Sequence, residues 1–275
     1  MSLYKMLTIG LPTYKDFDGC YFTTQALRLY HDMDNCEILV IDTEEKGCKD
    51  LKTLCENTGS KYFHEPSAAH TPSEAKNFVF ERATKDYVLC IDSHILLPQN
   101  VIRNLKDYIA IHNPEKDLLQ GPLLYDDLQN IATHFKPEWS GHMYGVWGTD
   151  PKVYAGYPFD IPMQGMGLFC MKKANWPWFN RKFKGFGGEE GYIQEKVRQK
   201  GGKTLCLPFL KWVHRFARPN GVPYKLSIID RIANYLIGWH ELGLNYNEVT
   251  EHFSKHVQTH ELLEAIHRFE VSKMV

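Results

Sequence analysis

Residues 87–92 read YVLCID, an apolar run closed by a carboxylate, with Ser93-His94 directly after it. EILVID (37–42) repeats the design, and LTIGLP (7–12) is a third short apolar run. Continuous apolar runs of this length fit strands buried on both faces. Helical patterns separate them. One runs through Phe22, Ala26, Leu29 and Tyr30, and a second from about Leu51 to Cys55 stops near Gly59. Thr71-Pro72-Ser73-Glu74 predicts a capping box with Pro at the first helical position, leading a helix through Ala75, Phe78, Val79 and Arg82. A further helix from about Pro98 to His112 ends at Asn113-Pro114. Strand–helix alternation of this kind predicts an α/β fold with a mostly parallel central sheet flanked by helices. Ligands of such sheets bind beyond the carboxyl ends of the strands, where Asp42 and Asp92 would both lie.

Composition narrows the class. The chain has 275 residues, 43% of them hydrophobic, with 32 Lys/Arg against 33 Asp/Glu. That supports a sizeable core and excludes disorder as the main state. No run reaches the roughly 18 apolar residues of a membrane span, and no signal peptide is visible. Seven scattered cysteines without a CxxC pair predict reduced thiols, hence a cytoplasmic setting and no zinc ribbon. The near-neutral total hides an asymmetry: residues 171–231 carry 14 Lys/Arg and only four Asp/Glu. Such a segment suggests an anionic partner, or a solvated face paired with the acid-rich remainder.

The second half is less regular. GMGLFCMK (165–172) and the end of LKWVHRF (210–216) read as strands, and EEGYIQEKVRQK (189–200) as a helix stopped by Gly201-Gly202. ARPNGVPY (217–224) is a Pro/Gly loop, and a helical pattern through Ile228, Ile232, Tyr235 and Leu236 follows. This divides the chain into an α/β domain (1–225) and a C-terminal helical extension (226–275). Gly201-Gly202-Lys203-Thr204 is not a P-loop, because Val197 stands where a Gly is needed and a strand follows. His252, His256 and His260 would share one face of a solvated terminal helix. KKANWPWFNRKFK (172–184) interleaves bases with aromatics. That composition suits nucleic-acid backbone and base stacking, or a loop over a site with two buried Trp rings. Trp176, Trp178, Arg181 and Lys182 are its candidate acceptor-binding residues.

Asp92 and His94 just past a strand, with His214 at the end of a later one, form a mixed oxygen and nitrogen set suited to Mn²⁺ or a similar cation. Here a resemblance enters. From Leu7 to about Arg218 the chain resembles nucleotide-sugar glycosyltransferases of the GT-A fold. The Pro12-Thr13-Tyr14 turn, Asp42 and Ala75-Lys76-Asn77 are similar to family-2 enzymes. Asp92-Ser93-His94, Gly165-to-Phe169, Phe186-Gly187-Gly188-Glu189-Glu190 and His214-Arg215-Phe216 resemble motifs of polypeptide N-acetylgalactosaminyltransferases. The whole chain is also similar to family-2-like proteins of tailed phages.

The resemblance implies a UDP-sugar donor and Mn²⁺ (or Mg²⁺) held by Asp92, His94 and His214. It implies donor binding by Pro12, Thr13, Tyr14, Asp42, Lys76, Asp92, Ser93, Gly167, Arg215 and Arg218, with Asp42 accepting the uracil N3–H. Glu189, Glu190 and Arg218 are the implied catalytic residues, and the metal set implies retention at the anomeric carbon. Ala217, Phe186 and Glu190 stand where that family has Arg, Trp and Asn. The acceptor is a hydroxyl, with a hydroxymethylated pyrimidine in DNA, a glycan and a protein Ser/Thr as the classes to separate. An inverting family-2 transferase and a degenerate nucleotide-sugar binder are the alternatives. A viral origin would place the protein in the host cytoplasm.

Overall fold

A computed structural model describes residues 6–217 and 221–274. The first half runs β1 (Leu7–Thr13), α1 (Phe17–Tyr30), β2 (Cys36–Asp42), α2 (Lys49–Thr58), β3 (Lys61–His64), α3 (Pro72–Arg82), β4 (Tyr87–Ile91), β5 (Ile95–Leu96) and α4 (Val101–His112). Short strands follow: β6 (Leu118–Gln120), β7 (Leu123–Leu124), β8 (Ile131–Ala132), β9 (His134–Ser140), β10 (Met143–Gly148), β11 (Phe159–Asp160) and β12 (Leu168–Lys172). The chain closes with α5 (Tyr192–Gln199), β13 (Thr204–Cys206), β14 (Trp212–His214), α6 (Ile228–Glu241), α7 (Asn247–Phe253) and α8 (Thr259–Met274).

Eight strands form the main sheet in the order β11-β13-β6-β12-β4-β1-β2-β3. β1 pairs in parallel with β2 and β4, β2 with β3, and β13 with β6. β12 runs antiparallel between β4 and β6, and β11 antiparallel to β13. This is the α/β sheet anticipated from the alternation, with a reversed strand at its centre. A four-stranded sheet, β5-β14-β7-β8, and the hairpin β9–β10 stand apart.

Side-chain alternation divides the core. Leu39 and Ile41 of β2 pack on one face with Val79, Phe80 and Phe169, while Ile38 and Val40 pack on the other with Leu7, Leu51 and Leu105. Period-two burial on both faces accounts for the unbroken apolar runs. Cys90, Cys170 and Cys206 lie buried in those runs, and all seven cysteines are free thiols.

Three readings need correction. First, residues 226–275 do not form a separate unit, because Tyr235, Leu236, Phe253 and Phe269 share the core of the β2–β12 face. Secondly, the His252–His260 stretch is not one helix: α7 stops at Phe253 and α8 starts at Thr259. Thirdly, Thr71 precedes α3 without making a side-chain cap bond, and Glu74 turns instead to Asn77 Nδ2 at 2.8 Å.

Asn77 is a buried polar staple. Its Oδ1 accepts from Trp176 Nε1 at 3.2 Å and Phe179 N at 2.9 Å, and its Nδ2 donates to Phe179 O at 3.1 Å. Replacing it by Ala would strand those buried groups, each at roughly 1–3 kcal/mol. Asn77→Ala is therefore expected to lower unfolding free energy by about 2–4 kcal/mol in urea titrations.

Candidate active site

The reversed strand and the small sheet bring together what sequence separates. β14 pairs antiparallel with β5, setting His214 opposite Ile95, and Arg215 N donates to His94 O at 3.2 Å. Asp92, His94 and His214 thus meet at the carboxyl end of β4. One ligand atom from each lies within 4.8 Å of the others. His94 Nε2 is 3.2 Å from His214 Nε2, which is 3.5 Å from Asp92 Oδ2.

The donor set fits a divalent cation. Asp16 Oδ2 accepts from His94 Nδ1 at 2.5 Å and from Ser93 Oγ at 2.9 Å. A proton held on Nδ1 leaves the His94 Nε2 lone pair facing the other two ligand atoms. Two imidazole nitrogens in such proximity repel unless a proton or a cation lies between them. His214 Nδ1 is buried without a hydrogen-bond partner, so nothing there fixes that ring's proton. Imidazole and carboxylate together suit Mn²⁺ and its neighbours. Asp16 was not legible as a site residue; its one signal was its place before the helix, where its Oδ1 accepts from Gly19 N at 3.3 Å.

Gly167 backs this cluster. Its carbonyl accepts from Asp92 N at 2.9 Å. A Cβ at Gly167 would stand 3.2 Å from Asp92 Oδ2 and 3.1 Å from the Trp212 ring. The glycine leaves room for the carboxylate itself.

Lys76 Nζ lies 3.7 Å from Asp92 Oδ1, with its side chain 8% exposed. Burial disfavours its charge, but the Asp92 and Glu189 carboxylates outweigh that and raise its pKa. Burial likewise opposes ionisation of Asp92, yet Lys76 with His214 and His94 holds its carboxyl well below the usual range.

A cleft opens beside the cluster, lined by Pro12, Thr13, Tyr14, Lys76, Asp92, Ser93 and His94. Thr43, His70, Phe186 and Tyr224 also line it. Tyr224 packs 5.5 Å from the Phe186 ring and 6.4 Å from Tyr14. Tyr14 donates to Glu45 Oε1 at 3.0 Å and meets His70 Nε2 at 3.2 Å. Aromatic walls of this kind suit a flat base.

Asp42 does not line the cleft. It is fully buried. Its Oδ1 accepts from Glu44 N at 2.9 Å, and its Oδ2 from Cys48 N at 2.5 Å and Tyr62 Oη at 2.6 Å. Instead of meeting a nucleobase, it pins the 43–48 turn. Arg215 is exposed and outside the cleft lining, and Arg218 lies outside the described residues.

Gly187 and Gly188, at φ +91° and +87°, thread the chain against α6; a Cβ on Gly188 would sit 2.4 Å from Arg231 O. This turn sets the two following carboxyls. Glu190 Oε2 accepts from Gly188 N at 2.8 Å and Tyr235 Oη at 2.7 Å. Burial, then the Glu190 charge, pushes the Glu189 carboxyl up to about 7. Tyr235 and Arg231, both from α6, were not read as site residues, since a helical face of Ile and Tyr reads as core.

The proposed acceptor residues scatter. Trp176 is 3% exposed, stacked on Phe80 at 4.0 Å and Phe169 at 5.3 Å, so it cannot meet an acceptor. Trp178 is 40% exposed. Arg181 is shared between Glu74 and Glu81 at 3.7 and 3.8 Å, and Lys182 donates to Ser272 O at 2.6 Å. Lys172, Lys196 and Arg198 pair with Glu115, Glu241 and Glu195. Lys172, Arg181, Lys196 and Arg198 are thus balanced by carboxylates, as the solvated-face reading of the segment has it.

Residues 8–162 match Glycosyl transferase family 2, and the chain belongs to that family. Solved structures with the same fold include GalNAc-T7 with UDP, GalNAc and Mn²⁺, at 15% identity and TM-score 0.69, over 87% of this chain and 48% of that one. The mannosyltransferase PcManGT from Pyrobaculum calidifontis, in complex with GDP-Man and Mn²⁺, matches at 13% identity and TM-score 0.59, over 98% and 75%. S. aureus TarS matches at 13% and 0.57, over 90% and 42%. This chain thus spans about half the length of the GalNAc-T7 chain. No curated protein matches it in sequence. No helix among the described residues is long and apolar enough to cross a membrane.

Proposed function

We propose that the protein is a metal-dependent glycosyltransferase that moves a sugar from a nucleoside diphosphate sugar, with UDP as the nucleotide, to a hydroxyl acceptor. The observation that carries this is the Asp92–His94–His214 cluster beside an aromatic-walled cleft at the strand ends. The same family membership and the cation-containing neighbours support it. Seven free thiols support a reducing, cytoplasmic setting.

In transfer, the acceptor oxygen bonds to the anomeric carbon as the bond from that carbon to the diphosphate oxygen breaks. The electron pair leaves on the diphosphate. Mn²⁺, held by Asp92, His94 and His214, would offset the negative charge developing there. Lys76 adds a fixed positive charge beside Asp92, and Asp16 keeps His94 oriented. The acceptor proton needs a base.

Retention is the course implied by the metal set. Inversion is the alternative, and Glu189, which lies within electrostatic reach of Lys76 in the donor cleft and whose burial raises its carboxyl pKa, is the residue that would take the proton in it. We infer direct displacement with inversion, to be read by proton NMR of the first-formed product. A retained anomer would overturn that course. The buried Trp176 and the paired Arg181 count against a hydroxymethylated pyrimidine in DNA as the acceptor.

Thermal shift tests the donor reading. With Mn²⁺ present, UDP at 100 times its Kd is expected to stabilise the native state by about 2.7 kcal/mol. No shift with UDP, GDP or their sugars would overturn the reading, and with it favour neither the active nor the degenerate form. Stabilisation without UDP release on adding sugar donor and acceptor would mark the degenerate binder.

A further inference from the structure

Glu189 and Glu190 are neighbours in sequence but serve two different spaces. Glu189 lies within electrostatic reach of Lys76, a wall of the donor cleft. Glu190 lines a second cavity of about 640 Å³. Its walls come from the β9–β10 hairpin, the segment before β12, the start of α5 and the α6–α7 turn. Resting on the glycosyltransferase reading above, we propose that this second cavity is the acceptor site, and that it takes an uncharged oligosaccharide.

Electrostatics select the ligand class. Asp160, Glu190, Glu195 and Glu248 contribute four carboxyls to the cavity, and among the described residues Arg198 is its one lining Lys or Arg. That guanidinium is already committed: its Nε donates to Glu195 Oε2 at 3.0 Å and its Nη1 to Pro162 O at 2.7 Å. A phosphate- or sulfate-bearing acceptor would meet like charge throughout. Hydroxyl groups suit these walls, because ionised carboxyls only accept hydrogen bonds and sugar hydroxyls donate them.

The other walls are aromatic. Tyr144 and Trp239 line the same space, with rings 5.1 Å apart at 78°. Aromatic faces cover the apolar C–H surface of a pyranose, while the carboxyls fix its orientation. The volume falls within the range of small-ligand sites, enough for more than one sugar ring. Glu190, which accepts from Tyr235 Oη at 2.7 Å, lines this cavity, and the residue before it, Glu189, lies within electrostatic reach of Lys76 in the donor cleft.

Isothermal calorimetry on the whole chain tests this. The probes are neutral tetrasaccharides of glucose, galactose, mannose and N-acetylglucosamine, a heparin tetrasaccharide, and a 20-base-pair DNA duplex. At least one neutral tetrasaccharide is expected to bind, with no saturable heat from heparin or DNA. Asp160→Ala with Glu248→Ala, both exposed positions away from the metal cluster, should weaken it at least tenfold. UDP–Mn²⁺ binding in that double variant should stay within twofold of wild type. Binding of heparin or DNA in preference, silence from every neutral sugar, or an unchanged sugar affinity in the double variant would each overturn the proposal. Loss of UDP–Mn²⁺ binding in the wild type would instead sink the donor reading, and the sugar titrations would still stand on their own.

Discussion

Asp92→Asn should abolish sugar transfer, with kcat/KM falling at least a thousandfold, or about 4 kcal/mol of transition-state stabilisation. The substitution keeps the side chain's shape but removes the charge on which three interactions converge. Lys76 loses its partner at 3.7 Å, His214 its carboxyl neighbour at 3.5 Å, and the cation its one anionic ligand. His214→Ala should behave alike, by removing one of the two imidazoles. Two readouts separate the effect from misfolding. Circular dichroism of both variants should match wild type, because both side chains are partly exposed and neither belongs to the apolar core. The Mn²⁺-dependent part of the UDP thermal shift should vanish in both. Transfer within tenfold of wild type in either variant would overturn the site.

The cluster was readable because its residues mark strand ends, and strand ends are legible as the close of apolar runs. Asp92 and His94 follow the fully buried YVLCI run. His214 required more, since its contact with His94 spans 120 residues and depends on β14 pairing with β5, a two-residue strand too short to leave a pattern. The resemblance supplied what local periodicity could not. Asp42 shows the converse failure. It also ends a buried run, but its place on the sheet edge does not determine where its oxygens turn. Tyr62, the second residue of the four-residue β3, and the 43–48 turn capture them.

The C-terminal helices explain the other misses. An amphipathic α6 predicts packing, and it does pack, yet the same face brings Tyr235 to Glu190 and Arg231 to Gly187. Core and site residues alternate there within one helix. Trp176 follows the second of the two readings of its segment, a buried ring: Asn77 receives its indole N–H and Phe80 its face. Composition reports which residues are near in sequence, whereas burial follows from what the loop covers.

Glu189→Gln should leave donor binding intact and lower transfer at least a hundredfold, the usual range for loss of a general base. The pH profile gives the sharper result. A base works only when ionised, so wild-type kcat/KM should rise with pH, reach half its plateau near 7 and stay level above it. The variant's residual rate should lack that rise. Stability should move the other way. Burial, with Glu190 beside it, lifts the folded-state pKa of Glu189 from 4.5 to about 7. The unfolded chain releases this proton near 4.5 and the folded chain only near 7. Glu189 therefore contributes stability below about pH 4.5, and that contribution is lost as pH climbs through 7. Glutamine carries no such charge. At pH 8 the variant should be the more stable protein in urea titrations, and at pH 4.5 the two should converge. A profile with no rise near 7, or a variant no more stable at pH 8, would remove Glu189 from the role of base. Greater stability coupled to lost transfer is the signature of a carboxyl kept in an unfavourable place for its chemistry.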